Sequence, residues 1–235
     1  MKTFIFDVDG TLALPNQPIE SQFMRWFEHW MLKKEVFLCT NNTYENILPR
    51  LGRRIVENCK AVFTCGGNSI WINNKEAVMS NWRPSYELTS FLESLLKQSE
   101  YKTRSGPNIE YRVGMISFSL VGKMATEEDI NRYKQWDKLT REKKKFIESI
   151  KKSFPNLSVC YGSDTSIDIC EKGKDKSQIL QYFNTSKNVN VILNSVMQHG
   201  NDKTLYEGMS LNKNKVYNVH VCYTPEETQN YLRSL

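Results

Sequence analysis

Apolar and polar residues run along this chain in two rhythms. Residues 4–8 form a nearly unbroken apolar run of β-forming residues, the length of a strand buried on both faces. Residues 19–32 then carry Ile, Phe, Met and Trp at near-helical spacing. Residues 35–39 predict a second strand, ended by Thr40, Asn41 and Asn42. Thr43 caps a short helix that stops near Leu51 and Gly52. Residues 61–63 predict a third strand, and 70–79 a hairpin around Asn73 and Asn74. A β-α-β-α-β order implies a parallel sheet with right-handed crossovers.

The rhythm then changes. Residues 85–98 predict an amphipathic helix, and 109–112 and 115–121 two strands with almost nothing between them. Thr126 and Asp129 have capping-box spacing and open one long helix running to about Ser153, with Pro155 just beyond. Residues 157–161 and 165–170 predict two further strands. This α-β-β-α-β-β unit marks a separate antiparallel module. Alternation returns at Asp175, with a helix over 176–183, strands over 190–193 and 217–222, and a last helix opened by Thr224 and Pro225. The expected fold class is α/β. A Rossmann-like core with a parallel sheet occupies 1–81 and 173–235, around an inserted α+β cap with an antiparallel sheet at 82–172.

Bulk properties narrow the function classes. No stretch is long and apolar enough to span a bilayer, and the chain enters its first strand without a signal peptide. The six cysteines are scattered with no C-x-x-C pair, as expected for free thiols in a reducing, cytoplasmic setting. A net charge of +6 suits anionic substrates. Much of the excess lies in 138–152, where it reads as a solvated helix face rather than a nucleic-acid patch. His29, His199 and His220 are isolated and show no metal-ligand spacing.

The chemistry concentrates at the end of the first strand, Phe-Ile-Phe-Asp-Val-Asp-Gly-Thr-Leu over residues 4–12. Gly10 lets the chain turn, so that Asp7 and Asp9 can converge. Two carboxylates at a strand end make a negative site suited to a hard divalent cation with oxygen ligands and waters. Asp-Val-Asp-Gly-Thr resembles the first motif of the haloacid dehalogenase superfamily. The resemblance implies that Asp7 is a nucleophile forming an aspartyl phosphate and that Asp9 is the general acid and base. It further implies a Ser or Thr after the second strand, which falls on Thr40, with Asn42 as the other register and an expected substrate contact. It implies a lysine, for which Lys172, Lys174 and Lys176 are candidates; Lys176, at the start of the returning helix, is preferred. Acidic metal ligands are implied after a late strand. There Asn194 stands in the place of an Asp, followed by Gly200, Asn201 and Asp202. Asp7, Asp9, Asn194 and Asp202 are thus the expected magnesium ligands.

Over nearly the whole chain the order of segments is similar to the eukaryotic-type phosphomannomutases. Among the pieces are Ile-Glu-Tyr-Arg-Val-Gly-Met at 109–115, Ser166-Ile167-Asp168 and Gly173-Lys174-Asp175-Lys176. The resemblance implies a cap that closes over the core and reads the far end of a sugar phosphate through Arg112, Ser166 and Asp168, and a homodimer through the cap. It also shows departures. Lys123 replaces one arginine and keeps its charge without the bidentate fork. Ile130 and Asn16 replace two more. A mutase must clamp a bisphosphate at both ends, so these losses favour a magnesium-dependent phosphatase acting on a sugar phosphate or related phosphate monoester. A phosphomannomutase or phosphoglucomutase interconverting hexose 1- and 6-phosphates is the alternative.

Overall fold

A computed structural model describes residues 1–183, 188–211 and 217–235. The described chain divides into two compact units, Met1–Ser80 with Lys174–Leu235, and Asn81–Gly173.

The first unit is built on strands β1 (Lys2–Phe6), β2 (Lys34–Cys39), β3 (Ala61–Thr64), β4 (Ser69–Ile72), β5 (Lys75–Met79), β10 (Val189–Leu193) and β11 (Tyr217–Val221). They form one seven-stranded sheet in the order β11-β10-β1-β2-β3-β4-β5. Pairing is parallel from β11 to β3 and antiparallel through β4 and β5. The near-continuous apolar strands serve two cores, because successive side chains face opposite ways. Phe4 and Phe6 of β1 pack under helix α1 (Ser21–Met31), where the Phe6 and Phe27 rings meet edge-on at 5.3 Å. Ile5, between them, points into a second core with Phe63, Val191, Leu193 and Leu205. Helices α2 (Tyr44–Leu51), α3 (Arg53–Asn58), α7 (Lys203–Leu211) and α8 (Pro225–Arg233) complete the unit.

The second unit holds β6 (Ile109–Arg112), β7 (Met115–Ser119), β8 (Leu157–Tyr161) and β9 (Ser166–Glu171) in one antiparallel sheet ordered β6-β7-β9-β8, with helices α4 (Tyr86–Gln98), α5 (Glu127–Thr140) and α6 (Glu142–Ser153). Ile116, Phe118, Ile167 and Ile169 form a core with Leu92, Tyr133 and Ile147 of the helices. Alternation puts the neighbouring polar residues on the other face. There the register aligns Glu110, Ser117, Asp168 and Cys160 in one row across the sheet.

Two expected elements differ. The single helix from Thr126 to Ser153 is two helices. Arg141 adopts a left-handed conformation at φ 55°, its N–H closes α5 on the Asp137 carbonyl, and the Asp137 carboxylate accepts the Lys143 N–H at 2.8 Å to start α6. Residues Lys176–Phe183 form a 3₁₀ segment rather than an α-helix. There the Asp175 carboxylate takes both the N–H and the hydroxyl of Ser177, local bonds that compete with helical ones.

Candidate active site

The site of the first unit begins where β1 ends. The Asp7 N–H still bonds the Ile192 carbonyl of β10 at 3.0 Å, so Asp7 is fixed by the parallel ladder. The chain then folds back on itself. The Val8 carbonyl accepts the N–H groups of Thr11, Leu12 and Ala13, and Gly10 turns through φ 78°. A Cβ at Gly10 would lie 2.7 Å from the Asn194 amide nitrogen. Gly10→Ala therefore combines a left-handed backbone with a collision. We expect it to lose about 1–3 kcal/mol in urea unfolding.

Asp7, Asp202 and Lys176 form one buried cluster. The Lys176 ammonium, 1% exposed, donates to Asp7 Oδ1 and to Asp202 Oδ1, each at 2.6 Å. Asp7 Oδ2 accepts the Thr11 hydroxyl at 3.2 Å. Asp202 Oδ2 accepts the backbone N–H groups of Asn194 and Ser195, each at 3.0 Å. Burial, followed by the Asp202 charge, pushes the Asp7 carboxyl up to about 7, against the opposing pull of Lys176. Burial also disfavours the Lys176 ammonium, but the charges of Asp202 and Asp7 outweigh it and hold its pKa well above the ordinary value. Lys176 is therefore a fixed cation. Cys39, the neighbouring thiol, is pushed by burial up to about 12 and stays neutral.

Asp9 adds its charge to those that raise Asp7 but is hydrogen-bonded to other residues. Its Oδ1 accepts from the Arg50 guanidinium at 2.7 Å and its Oδ2 from the Asn42 amide at 2.5 Å. The Asn42 N–H in turn donates to the Thr40 hydroxyl at 3.1 Å, so both expected registers of the second motif meet in one short turn. Asn42 thus touches Asp9. Arg50, 8% exposed on α2, was not expected at all. Its signal is faint but present: Ile47, Arg50 and Leu51 share one helical face, so an arginine occupies an apolar phase.

The residues fit a hard cation. Among the described residues no three His, Cys, Asp or Glu side chains come together as a metal group. Both carboxylate oxygens of Asp9 and of Asp202 accept bonds, from Arg50 and Asn42 and from Lys176 and backbone N–H groups respectively, and keep further lone pairs. Among the described residues Asp7 Oδ2, which accepts the Thr11 hydroxyl, and the Asn194 side-chain oxygen are the less engaged donors. Fully ionised, Asp7, Lys176 and Asp202 leave one negative charge uncompensated. Oxygen donors and one surplus negative charge are what magnesium takes.

In the second unit, Arg112 and Lys123 both pair with one acceptor, Glu110 Oε2. Arg112 donates to it through Nε at 2.8 Å and through a terminal nitrogen at 2.5 Å. Ser166 and Asp168 lie on one face of β9. A Cβ at Gly162 would approach Asp168 Oδ1 to 2.3 Å, so glycine there lets the loop close over that carboxylate. Of the candidate lysines, Lys172 and Lys174 are exposed and only Lys176 reaches the cluster.

A family model described as eukaryotic phosphomannomutase matches residues 34–235. A phosphomannomutase of Saccharomyces cerevisiae is 26% identical over 212 residues, covering 86% of this chain and 84% of its own. One of Dendrobium officinale is 23% identical over 211 residues, covering 86% and 84%. Among solved structures, the C-terminal domain of Candida albicans trehalose-6-phosphate phosphatase superposes with a TM-score of 0.68 at 12% identity, covering 98% of this chain and 90% of that one. A subclass IIB sugar phosphatase of the haloacid dehalogenase superfamily gives 0.58 at 13%, covering 100% and 98%. At such identities these two likenesses show the fold alone.

Proposed function

The chain belongs to the eukaryotic phosphomannomutase family and is an enzyme of the haloacid dehalogenase class, and from that footing we propose that it hydrolyses a small phosphate monoester through Asp7. The observation that carries the proposal is the buried Lys176 ammonium bridging Asp7 and Asp202 at the mouth of the parallel sheet. A fixed cation there offsets the charge that gathers as a carboxylate approaches a phosphoryl group. Asp7 attacks phosphorus, and the bond from phosphorus to the leaving oxygen breaks. Asp9 passes a proton to that oxygen, using a lone pair that its bonds to Arg50 and Asn42 leave open. Water then attacks the aspartyl phosphate, giving its proton to Asp9, and the Asp7–phosphorus bond breaks to release phosphate. Thr40 is proposed to help hold the phosphoryl oxygens.

Asp7 and Asn194 are the residues proposed to hold magnesium. The ion would neutralise phosphoryl oxygens and lower the repulsion that Asp7 meets.

Arg112, Lys123, Ser166 and Asp168 are the proposed substrate-binding residues of the second unit. That Arg112 and Lys123 share one acceptor, Glu110, favours hydrolysis over the mutase reaction. Glu110 offsets one of the two cationic charges, so the pair grips a second phosphate less well than two unopposed cations would. The phosphomannomutase or phosphoglucomutase reading draws on the family match itself. No disulfide joins cysteines among the described residues, in keeping with a reducing compartment, and a homodimer through residues 82–172 belongs to the same proposal. Among the described residues no helix is long and apolar enough to cross a membrane.

The test uses purified protein and a panel of sugar monophosphates. Phosphate release should require added magnesium and need no hexose bisphosphate. Isomerised hexose phosphate formed only with bisphosphate, with no free phosphate, would establish the mutase instead.

A further inference from the structure

Arg50 uses its guanidinium in an unusual way for a buried arginine. Four of its five N–H groups have partners: Nε donates to the Gln17 carbonyl at 3.0 Å, one terminal nitrogen to Asp9 Oδ1 at 2.7 Å and to the Leu14 carbonyl at 3.0 Å, and the other to Asn46 Oδ1 at 3.4 Å. Three stretches meet at this group: the turn bearing Asp9, the segment 14–17 and helix α2. An arginine kept for a substrate phosphate would hold its fork open. This one is closed by protein.

A buried Arg–carboxylate pair is a poor way to stabilise a fold, since the charges lose hydration that their attraction barely offsets. Apolar side chains at this helical phase, as at Ile47 and Leu51, would stabilise α2 at lower cost. What the pair does supply is orientation. The terminal torsion of an aspartate is broad and soft. Arg50 fixes one oxygen of Asp9 and Asn42 the other, so the carboxyl plane is set from both sides.

We propose that Arg50 is the positioning residue for Asp9, holding its carboxyl so that a proton can pass to the leaving oxygen. The proposal rests on the phosphoryl-transfer reading above. It makes a prediction that a scaffolding role does not. A sugar phosphate expels an alkoxide, which needs that proton as the phosphorus–oxygen bond breaks. p-Nitrophenyl phosphate expels a stabilised phenolate, which leaves without it.

The experiment compares kcat and KM of wild type, Asp7→Asn, Arg50→Met, Arg50→Lys and Asn42→Ala on a hexose 6-phosphate and on p-nitrophenyl phosphate, with a thermal melt of each protein. Arg50→Met should lower kcat/KM on the hexose phosphate about 10²-fold, the usual scale of general acid catalysis. Its kcat/KM on the aryl ester should stay within roughly threefold, because kcat/KM reports the steps only through departure of the leaving group, before the hydrolysis that both esters share and in which Asp9 also takes a proton. Arg50→Lys should recover part of the loss, keeping the charge without the fork. Asn42→Ala should show the same selective pattern, and it carries the comparison if Arg50→Met does not fold. Equal losses of kcat/KM on both esters, or no loss on either, would overturn the role of Arg50. If wild type turns over neither ester, or Asp7→Asn keeps both activities, the phosphoryl-transfer reading itself fails and Arg50 loses its role with it.

Discussion

Asp7→Asn should abolish turnover and leave a folded protein. An amide does not attack phosphorus, and loss of a covalent nucleophile lowers kcat by at least about 10⁴-fold. The fold should tolerate the change because the charge of Asp7 works against it. Burial first, and then Asp202, raise this carboxyl from 3.8 to about 7, and the Lys176 contact offsets only part of that. A raised carboxyl favours the folded state while protonated, and the advantage is lost as pH rises from about 4 through about 7. Asn mimics the protonated acid. In metal-free buffer the variant should therefore match or exceed wild type in melting temperature at pH 8, and the difference should shrink toward pH 5. Magnesium should raise the melting temperature of wild type at pH 8 more than that of the variant, since ligand binding to the folded state stabilises it. A variant that melts far below wild type at every pH would contradict this electrostatic account.

Lys176→Met should act in the opposite sense on stability. Lys176 is 1% exposed, Asp202 fully buried, and each carboxylate lies 2.6 Å from the one ammonium. Removing the cation leaves two carboxylates facing each other out of water. Breaking a buried pair by deleting one partner costs about 3–5 kcal/mol. That is a large share of the roughly 5–15 kcal/mol that holds a typical protein folded. Urea unfolding should show a loss of this size, and whatever protein remains folded should be inactive. Adding Asp7→Asn and Asp202→Asn should restore part of the stability and none of the activity. A Lys176→Met protein as stable as wild type would show that the ammonium is not the counter-charge of this cluster.

What the sequence makes legible follows from where its signals are local. The apolar run before Asp7, the turn at Gly10 and the change from alternating to antiparallel rhythm near residue 85 are all contained in a few neighbouring residues. They foretell the two sheets. The break at Arg141 leaves no such mark. No Gly or Pro stands there, and the helical pattern runs straight across it. Helices α3 and α7 are also hard to foresee. The first has only six residues, and the second follows the turn at 200–202 with Gly208 inside it. Within the site, Lys176 is the preferred one of three lysines before folding, and only burial against Asp7 and Asp202 separates it from Lys172 and Lys174. The division of work among the aspartates lies beyond the sequence. Asp9, Asp202 and Asp7 all look like cation ligands there. In the structure Asp9 is matched by Arg50, 41 residues away along the chain, and Asp202 by Lys176 and two backbone N–H groups.

The central claim is that Asp7 takes the phosphoryl group. It is tested most directly by mixing enzyme, magnesium and a turned-over phosphate monoester, quenching in acid and reducing with borohydride, which converts an aspartyl phosphate to homoserine. Peptide mass spectrometry should then find homoserine at position 7 of wild type and none in Asp7→Asn. Steady turnover with position 7 unmodified, or with the phosphoryl group recovered on another side chain, would contradict it.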